Sequence, residues 1–345
     1  MERPAANQSP LEVLITLPFP EEVVAPLREI SPRINLTVHS ARRPEDVPAE
    51  TWAKVEVLYT DRVLPAPELV PNLRWLQFHS AGIDFALNSQ LLQKPGLMVT
   101  NLSGAAAPQA AEHALGLLLA LGHHLHTVLQ LQAKAEWPRE RWERLTPREL
   151  RGSTLGIIGY GSIGRELARL AQPFGVSVLA AKYDAMQPED FGFTPEGLGD
   201  PRGELFTRLY PFQAVRSMIK VCDFVVVATP LTAETRGLIG AAELAAMKPT
   251  AGLVVVGRGG VVDETALLEA LQEKRLAGAA LDVFQEEPLA ATSPLWRQPN
   301  LIVSPHLSGL SFHYDERAMA LFGENLKRYL GGASLYNRYN PERGY

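Results

Sequence analysis

The sequence predicts an α/β protein in which one doubly wound, parallel-sheet domain is inserted into a second α/β domain. Three observations carry that expectation. A glycine-rich turn, Gly159-x-Gly161-x-x-Gly164, joins a short apolar run to a stretch with helical spacing. Strand-type runs alternate with helix-type runs on either side of it, the pattern of a parallel sheet with covered faces. The last helical stretch comes after the final strand of the glycine-turn half and must pack somewhere, and return to the first domain is the economical solution.

In chain order, residues 1–10 read as a loose tail. Val13 to Thr16 has strand character, Glu21 to Glu29 is helical, and Ile34 to Val38 and Val55 to Tyr59 are further strands. Arg74 to Phe78 and Met98 to Asn101 are two more, with a short helix expected near Ile83 to Gln90. Pro108 to Leu131 reads as one long helix. Pro108 suits a first helical turn, and Ala111, Ala114, Leu115, Leu118, Leu121, Leu125 and Leu129 recur at helical spacing. Leu117, Leu119 and Ala120 widen the apolar surface almost all round, which implies burial between domains or subunits. Trp137-Pro138 to Thr146 is polar and reads as a surface excursion.

Leu155 to Ile158 is a short apolar strand running straight into the glycine turn, Arg165 to Gln172 is helical, and Val176 to Ala180 is the second strand of a mononucleotide-binding βαβ unit. Gly159 allows the tight turn, Gly161 lets backbone approach a pyrophosphate, and Gly164 lets the helix pack on the strand. The helix N-terminus, at Ser162 and Ile163, offers backbone N–H groups and a positive dipole end to phosphates. After Lys182 the chain is crowded with Pro188, Gly192, Pro195, Gly197, Gly199, Pro201 and Gly203 and reads as irregular over about 185–215, which in a compact domain is usually functional or mobile. Strands return at Phe224 to Ala228, Leu253 to Val256, Ala279 to Leu281 and Leu301 to Val303. A helix at Glu264 to Glu273 is capped by Asp263. Tyr314 to Leu330 is the last helix, and Gly331 to Tyr345 a tail.

Composition bounds what such a chain does. The 345 residues are enough for about two domains. At 46% hydrophobic and 21% charged they supply real cores. The net charge of −5 comes without any basic stripe, which argues against nucleic acid as a partner. The most apolar run, Ala114 to Leu121, falls short of the roughly 20 residues that span a bilayer. The single cysteine, Cys222, rules out an internal disulfide framework. It lies just before an apolar strand, where a buried structural thiol is expected. With no apolar signal core at the N-terminus, this predicts a cytoplasmic protein.

Three ionisable residues fall just past predicted strand ends: Arg258 after Leu253 to Val256, Glu287 after Ala279 to Leu281, and His306 after Leu301 to Val303. Ligands of open α/β sheets bind outside the carboxyl ends of the strands, so these three converge where a nicotinamide would sit. Five motifs in order then resemble the D-isomer-specific 2-hydroxyacid dehydrogenase family over nearly the whole chain: Gly159 to Gly164, Thr229 to Arg236, Gly257 to Glu264, Leu281 to Leu289, and Pro305 to Gly309. Glu324 to Leu330 and Glu342 to Tyr345 also look like that family.

The resemblance implies a Rossmann-type doubly wound domain at 107–308, inserted into a flavodoxin-like α/β substrate domain made of 1–106 and 309–345. A cleft on two hinges would close on substrate. It implies that Arg258 clamps the substrate carboxylate and polarises the adjacent carbonyl. His306 would be the general acid–base and Glu287 the carboxylate that orients its imidazole. Ser80, Ala81 and Gly82 match a loop whose backbone N–H groups hold the substrate carboxylate, and Asp282 a carboxylate near the nicotinamide. Thr229, Pro230 and Gly257 match cofactor-contacting positions, and Ala111 to His113 the stretch where the long helix meets the cofactor. The implied reaction is reversible hydride transfer between NAD(P)H and a small 2-oxo or 2-hydroxy acid, with glyoxylate or hydroxypyruvate leading, in a homodimer. Trp137 or Trp142 would reach a partner's active site or simply pack on the surface.

One position departs from the family pattern. The aspartate that usually binds the adenosine ribose 2′-OH is replaced by Lys182, which accepts no hydrogen bond but pairs with a 2′-phosphate. NADP(H) is therefore expected over NAD(H), with Asp184 as the counter-argument. No metal is expected: His123 and His126 would share a helix face without a third ligand. Two rivals stay open, a phosphoglycerate dehydrogenase-like enzyme and a C-terminal-binding-protein-like, cofactor-dependent corepressor. Formate oxidation is disfavoured because those enzymes carry glutamine where Glu287 stands.

Overall fold

A computed structural model describes residues 9–341, 343 and 344. Most of the expected N-terminal tail, and Glu342 and Tyr345 of the C-terminal stretch, lie outside the described residues. The chain divides into two compact units: the described residues up to Ala105 with those from Phe312 onward, and Ala106–Ser311.

The first unit contains β1 (Leu11–Ile15), α1 (Glu21–Glu29), β2 (Ile34–Val38), the single turn α2 (Ala49–Trp52), β3 (Val57–Thr60), β4 (Trp75–Phe78) and β5 (Met98–Thr100). All its strands are parallel, in the order β2-β1-β3-β4-β5, the flavodoxin-like order. Every residue of β3 and β4 is buried, as continuous apolar strands between two covered faces must be. β1 begins at Leu11 rather than Val13 because its whole length pairs with β2. The helix expected between β4 and β5 is instead two 3₁₀ turns, Asp84–Ala86 and Gln90–Gln93. Ser89 separates them, its hydroxyl accepting the Leu91 N–H and starting a new turn.

The second unit contains α3 (Ala107–Gly122), α4 (Leu125–Ala133), α5 (Arg141–Arg144), β6 (Thr154–Ile158), α6 (Ser162–Ala171), β7 (Ser177–Lys182), β8 (Arg208–Pro211), α7 (Val215–Ile219), β9 (Phe224–Val227), α8 (Ala241–Leu244), β10 (Gly252–Val255), α9 (Glu264–Gln272), β11 (Gly278–Leu281) and β12 (Leu301–Val303). Its parallel sheet runs β12-β11-β10-β9-β6-β7-β8. From β6 the chain builds outward through β7 and β8, then returns to β9 on the other side. The order reverses between β6 and β9, and the carboxyl ends there frame the crevice in which such sheets bind ligands. Asp263 caps α9 as expected, accepting the Thr265 and Ala266 N–H groups at 3.0 Å each.

Two expectations fail here for identifiable reasons. The helix read from Pro108 to Leu131 breaks: α3 and α4 are bent by 66°, with His124 between them in a left-handed conformation at φ 54°. The Gly122 carbonyl accepts the Arg148 N–H at 2.9 Å, which ties off α3, and a side chain at Gly122 would meet the Arg148 carbonyl at 2.7 Å. His123 and His126 therefore share no continuous helix face. The rings that approach are those of His124 and His126, 6.5 Å between centroids, and among the described residues no cluster of three metal-ligating side chains forms. The second failure is β8, inside the stretch read as irregular. Among the described residues it is an edge strand paired with β7 alone, and Arg-Leu-Tyr-Pro carries too little apolar signal to announce it.

The last helix, α10 (Tyr314–Leu330), belongs to the first unit. Phe322 sits 4.8 Å from the Tyr59 ring and 5.2 Å from the Trp75 ring. The described part of the tail after α10 is tied to the first unit: Tyr339 N–H bonds the Val99 carbonyl at 2.8 Å, and Asn337 reaches the Ser103 carbonyl at 2.7 Å. Cys222 is buried, its thiol pushed up to about 12 by burial. No single helix among the described residues is long and apolar enough to cross a membrane.

Candidate active site

The glycine turn leaves β6 and opens α6. Gly159 holds φ at 99°, and a side chain there would strike the Ala228 and Thr229 backbone at 2.8 Å. That close approach brings the loops after β6 and β9 together over the crevice. A side chain on Gly164 would strike the Gly159 carbonyl, whereas one on Gly161 would meet nothing within 4 Å. The middle glycine thus faces open space beside the N-terminus of α6, where the helix presents backbone N–H groups and its positive dipole end. Thr229 is buried at 1% exposure with its hydroxyl unpaired. A cradle open over Gly161, a helix N-terminus and an orphaned hydroxyl fit a dinucleotide pyrophosphate.

Along the same sheet edge, Arg258 follows β10, Asp282 and Glu287 follow β11, and His306 follows β12. These are consecutive strands, so Arg258 and His306 lie two strand spacings apart, about 10 Å across the sheet. His306 Nδ1 pairs with Glu287 Oε2 at 2.7 Å, while Glu287 Oε1 accepts the Phe284 N–H at 2.9 Å. With Nδ1 engaged by a carboxylate, Nε2 is the nitrogen left for a reacting group. The His306 side chain is 44% exposed, which a proton donor to a ligand requires. Arg258 is half-buried, and its Nη1 donates to the Gly257 carbonyl at 3.0 Å.

Asp282 is wholly buried and organises this edge. Its carboxylate accepts the Ser304 hydroxyl at 2.5 Å, the Leu307 N–H at 2.8 Å and the Ser308 N–H at 2.9 Å. Its own carbonyl accepts the His306 N–H at 2.8 Å. His113, from α3, reaches both Ser304 Oγ at 3.1 Å and Asp282 Oδ1 at 3.4 Å. The turn so gripped holds His306 at φ 52°, a conformation non-glycine residues seldom adopt. Burial alone would raise the Asp282 pKa, but the hydrogen bonds from His113, Ser304, Ser308 and Leu307 outweigh it and hold the carboxyl far below its usual range.

A depressed carboxyl pKa stabilises the fold at every pH above the unfolded value of about 3.9, and that stability drains as pH falls toward the folded value. Asp282→Asn is expected to cost about 1–3 kcal/mol at pH 7, because buried N–H donors lose a charged acceptor. The variant should then lose less than the parent on acidification below about pH 4. Urea midpoints at both pH values check this; equal losses on acidification would refute it.

A family model described as D-isomer specific 2-hydroxyacid dehydrogenase, NAD binding domain, matches residues 115–308. The chain belongs to that family. This dehydrogenase is 33% identical over 329 residues to a glyoxylate reductase of Thermococcus gammatolerans, covering 93% of each chain. Its fold resembles a D-isomer specific 2-hydroxyacid dehydrogenase from Xanthobacter autotrophicus in complex with NADPH and MES, at TM-score 0.77 and 26% identity, covering 98% of this chain and 100% of that one. An NADPH-dependent glyoxylate/hydroxypyruvate reductase of Sinorhizobium meliloti, in complex with NADP and sulfate, matches at TM-score 0.74 and 25% identity, covering 98% and 100%. The dehydrogenase is accordingly an NAD(P)-dependent oxidoreductase acting on the CH–OH group of 2-hydroxy acids.

The other expected site residues are spread over both units. In the first unit Ser80, Ala81 and Gly82 turn the chain after β4, and the Ser80 hydroxyl donates to the Gly82 carbonyl at 2.8 Å. The Ala81 and Gly82 N–H groups make no hydrogen bond among the described residues, as an anion-binding turn requires. In the second unit Pro230 precedes a turn closed by the Thr235 hydroxyl, which donates to the Pro230 carbonyl at 2.6 Å. Lys182 ends β7 with its ammonium on the Gln187 and Glu189 carbonyls. Asp184 is turned into its own loop, accepting the Met186 N–H at 3.0 Å. Sequence reasoning missed Ser304 and the contact of His113 with Asp282. The only signal was Ser304 lying two residues before His306.

Proposed function

We propose that this dehydrogenase reduces glyoxylate or hydroxypyruvate, with NADP(H) preferred to NAD(H), as a cytoplasmic homodimer. The observation that carries the reaction is the 2.7 Å His306–Glu287 pair, standing two strands from Arg258 on one sheet edge. A bound nicotinamide supplies the hydride. His306 Nε2 gives its proton to the ketone oxygen, and Glu287 keeps Nδ1 protonated and the ring oriented. Arg258 offers a planar fork to the substrate carboxylate, a bidentate geometry that also selects acids over neutral ketones. The names of the Thermococcus and Sinorhizobium proteins support the substrate assignment. Lys182 at the end of β7, where a ribose-binding acid would otherwise stand, supports the 2′-phosphate. The homodimer is supported by apolar side chains left exposed on α4 and beyond it, Leu129 at 63%, Trp137 at 82% and Trp142 at 71%.

A panel of 2-oxo acids assayed with NADPH and with NADH tests this. Fast, selective reduction of glyoxylate or hydroxypyruvate with NADPH is expected, from a species of twice the chain mass by light scattering. A clear preference for NADH would overturn the cofactor assignment. Negligible turnover with tight cofactor binding would overturn the enzymatic one in favour of a corepressor-like binding role.

A further inference from the structure

Residues 183–207, between β7 and β8, contain no helix or strand, yet they are firmly attached at one point. Arg165, directly after Gly164, is only 1% exposed. Its Nη1 donates to the Asp200 carbonyl at 2.5 Å and its Nη2 to the Pro188 carbonyl at 2.6 Å. Its Nε stands 3.3 Å from the Asp190 carboxylate, and the guanidinium lies 4.8 Å over the Tyr160 ring. Tyr160, from inside the glycine turn, donates its hydroxyl to Asp200 at 2.7 Å. The next residue on α6, Glu166, accepts the Gly199 N–H at 2.6 Å.

The near end of this strap is held by Lys182. Its ammonium donates to the Gln187 carbonyl at 2.8 Å and to the Glu189 carbonyl at 3.0 Å. An ammonium carries three protons, so one is left without a partner among the described residues. Burial and the neighbouring Arg165 charge hold the Lys182 pKa below the usual lysine value. Pro188 thus lies between the two carbonyls that grip Lys182, and its own carbonyl is gripped by Arg165. The charge at the end of β7 and the phosphate-binding turn are joined through three consecutive residues of the strap.

Burying a guanidinium is costly unless its charge and donors are met; the two hydrogen bonds this one makes both go to the strap, and its Nε, without a hydrogen-bond partner among the described residues, lies against the strap's Asp190 carboxylate. A lysine side chain is otherwise a flexible point charge. Fixing it before the ligand arrives removes an ordering cost from binding. We infer that Arg165 is a specificity-determining positioning residue: by clamping residues 187–200 it fixes the Lys182 ammonium, with one N–H unspent, to receive the 2′-phosphate of NADP(H). This rests on the NADP(H) preference proposed above.

The test is calorimetric binding of NADP⁺ and NAD⁺ to the whole enzyme and to Lys182→Met, Arg165→Lys and Asp190→Asn, with the melting temperature of each variant recorded. Arg165→Lys keeps the charge and loses the fork; Asp190→Asn weakens the clamp from a half-buried position that folding tolerates, and carries the test if Arg165→Lys does not fold. Both clamp variants are expected to weaken NADP⁺ by roughly tenfold, about 1.4 kcal/mol, and to leave NAD⁺ within about twofold. Equal weakening of both cofactors would show that the strap only pads the fold, and unchanged NADP⁺ affinity in the clamp variants would show that Lys182 needs no clamp. An unchanged NADP⁺ to NAD⁺ ratio in Lys182→Met would instead sink the underlying cofactor reading.

Discussion

His306→Asn is expected to lower kcat for 2-oxo acid reduction by roughly 10²–10⁴-fold, the usual contribution of a positioned acid–base group. Cofactor affinity should stay near that of the parent. Asparagine is the informative replacement because of the backbone. His306 sits at φ 52°, a region that asparagine tolerates and most other residues do not. The turn should therefore persist, with its N–H still on the Asp282 carbonyl, and only the proton donor is lost. Alanine would combine loss of the imidazole with a backbone cost and blur the result. Single-turnover reduction followed by NADPH absorbance, with the cofactor dissociation constant measured separately, checks the prediction. Near-parental turnover in a variant that still binds cofactor would remove His306 from the chemistry.

The parts of this molecule legible in the sequence are those in which residue type and local spacing settle the matter. β2, α1, β12 and α10 stand at the residues read for them, because apolar periodicity and flanking turn residues act over a few positions. The glycine turn was legible because each glycine answers a steric demand: one at a positive φ, one beside open space, one against a carbonyl. What escaped depends on partners far away in the chain. The break after α3 is set by Arg148 tying off Gly122, which no helical count reveals. β8 exists because β7 offers an edge. The grip of Asp282 on the 304–308 turn, and the long reach of His113 to it, depend on the sheet order that sets β11 beside β12. The strap between β7 and β8 looked irregular because its order comes from Arg165 and Lys182 outside it, not from backbone pairing within it.

Arg258→Lys should separate charge from geometry at the carboxylate site. Both side chains are cationic, so steering of an anionic substrate toward the site survives the exchange. Lysine loses the flat fork that meets a carboxylate with two parallel bonds. Hydrogen bonds to charged groups are worth about 1.5–3 kcal/mol each. Losing one or both should lower kcat/KM for glyoxylate by roughly 10- to 10⁴-fold at about 1.4 kcal/mol per decade. The loss should fall on kcat as well as KM, since the fork also aligns the carbonyl for attack and misalignment costs rate as well as affinity. Cofactor affinity should not change, because β9 separates β10 from β6, and the phosphate turn after β6 offers backbone groups that Arg258 does not supply. The decisive control is the methyl ester of the same 2-oxo acid. The parent enzyme should discriminate strongly against the ester and the lysine variant only weakly, so that the two losses fail to add. If the ester and the acid suffer equally from the exchange, Arg258 does not read the carboxylate, whatever else it does on that sheet edge.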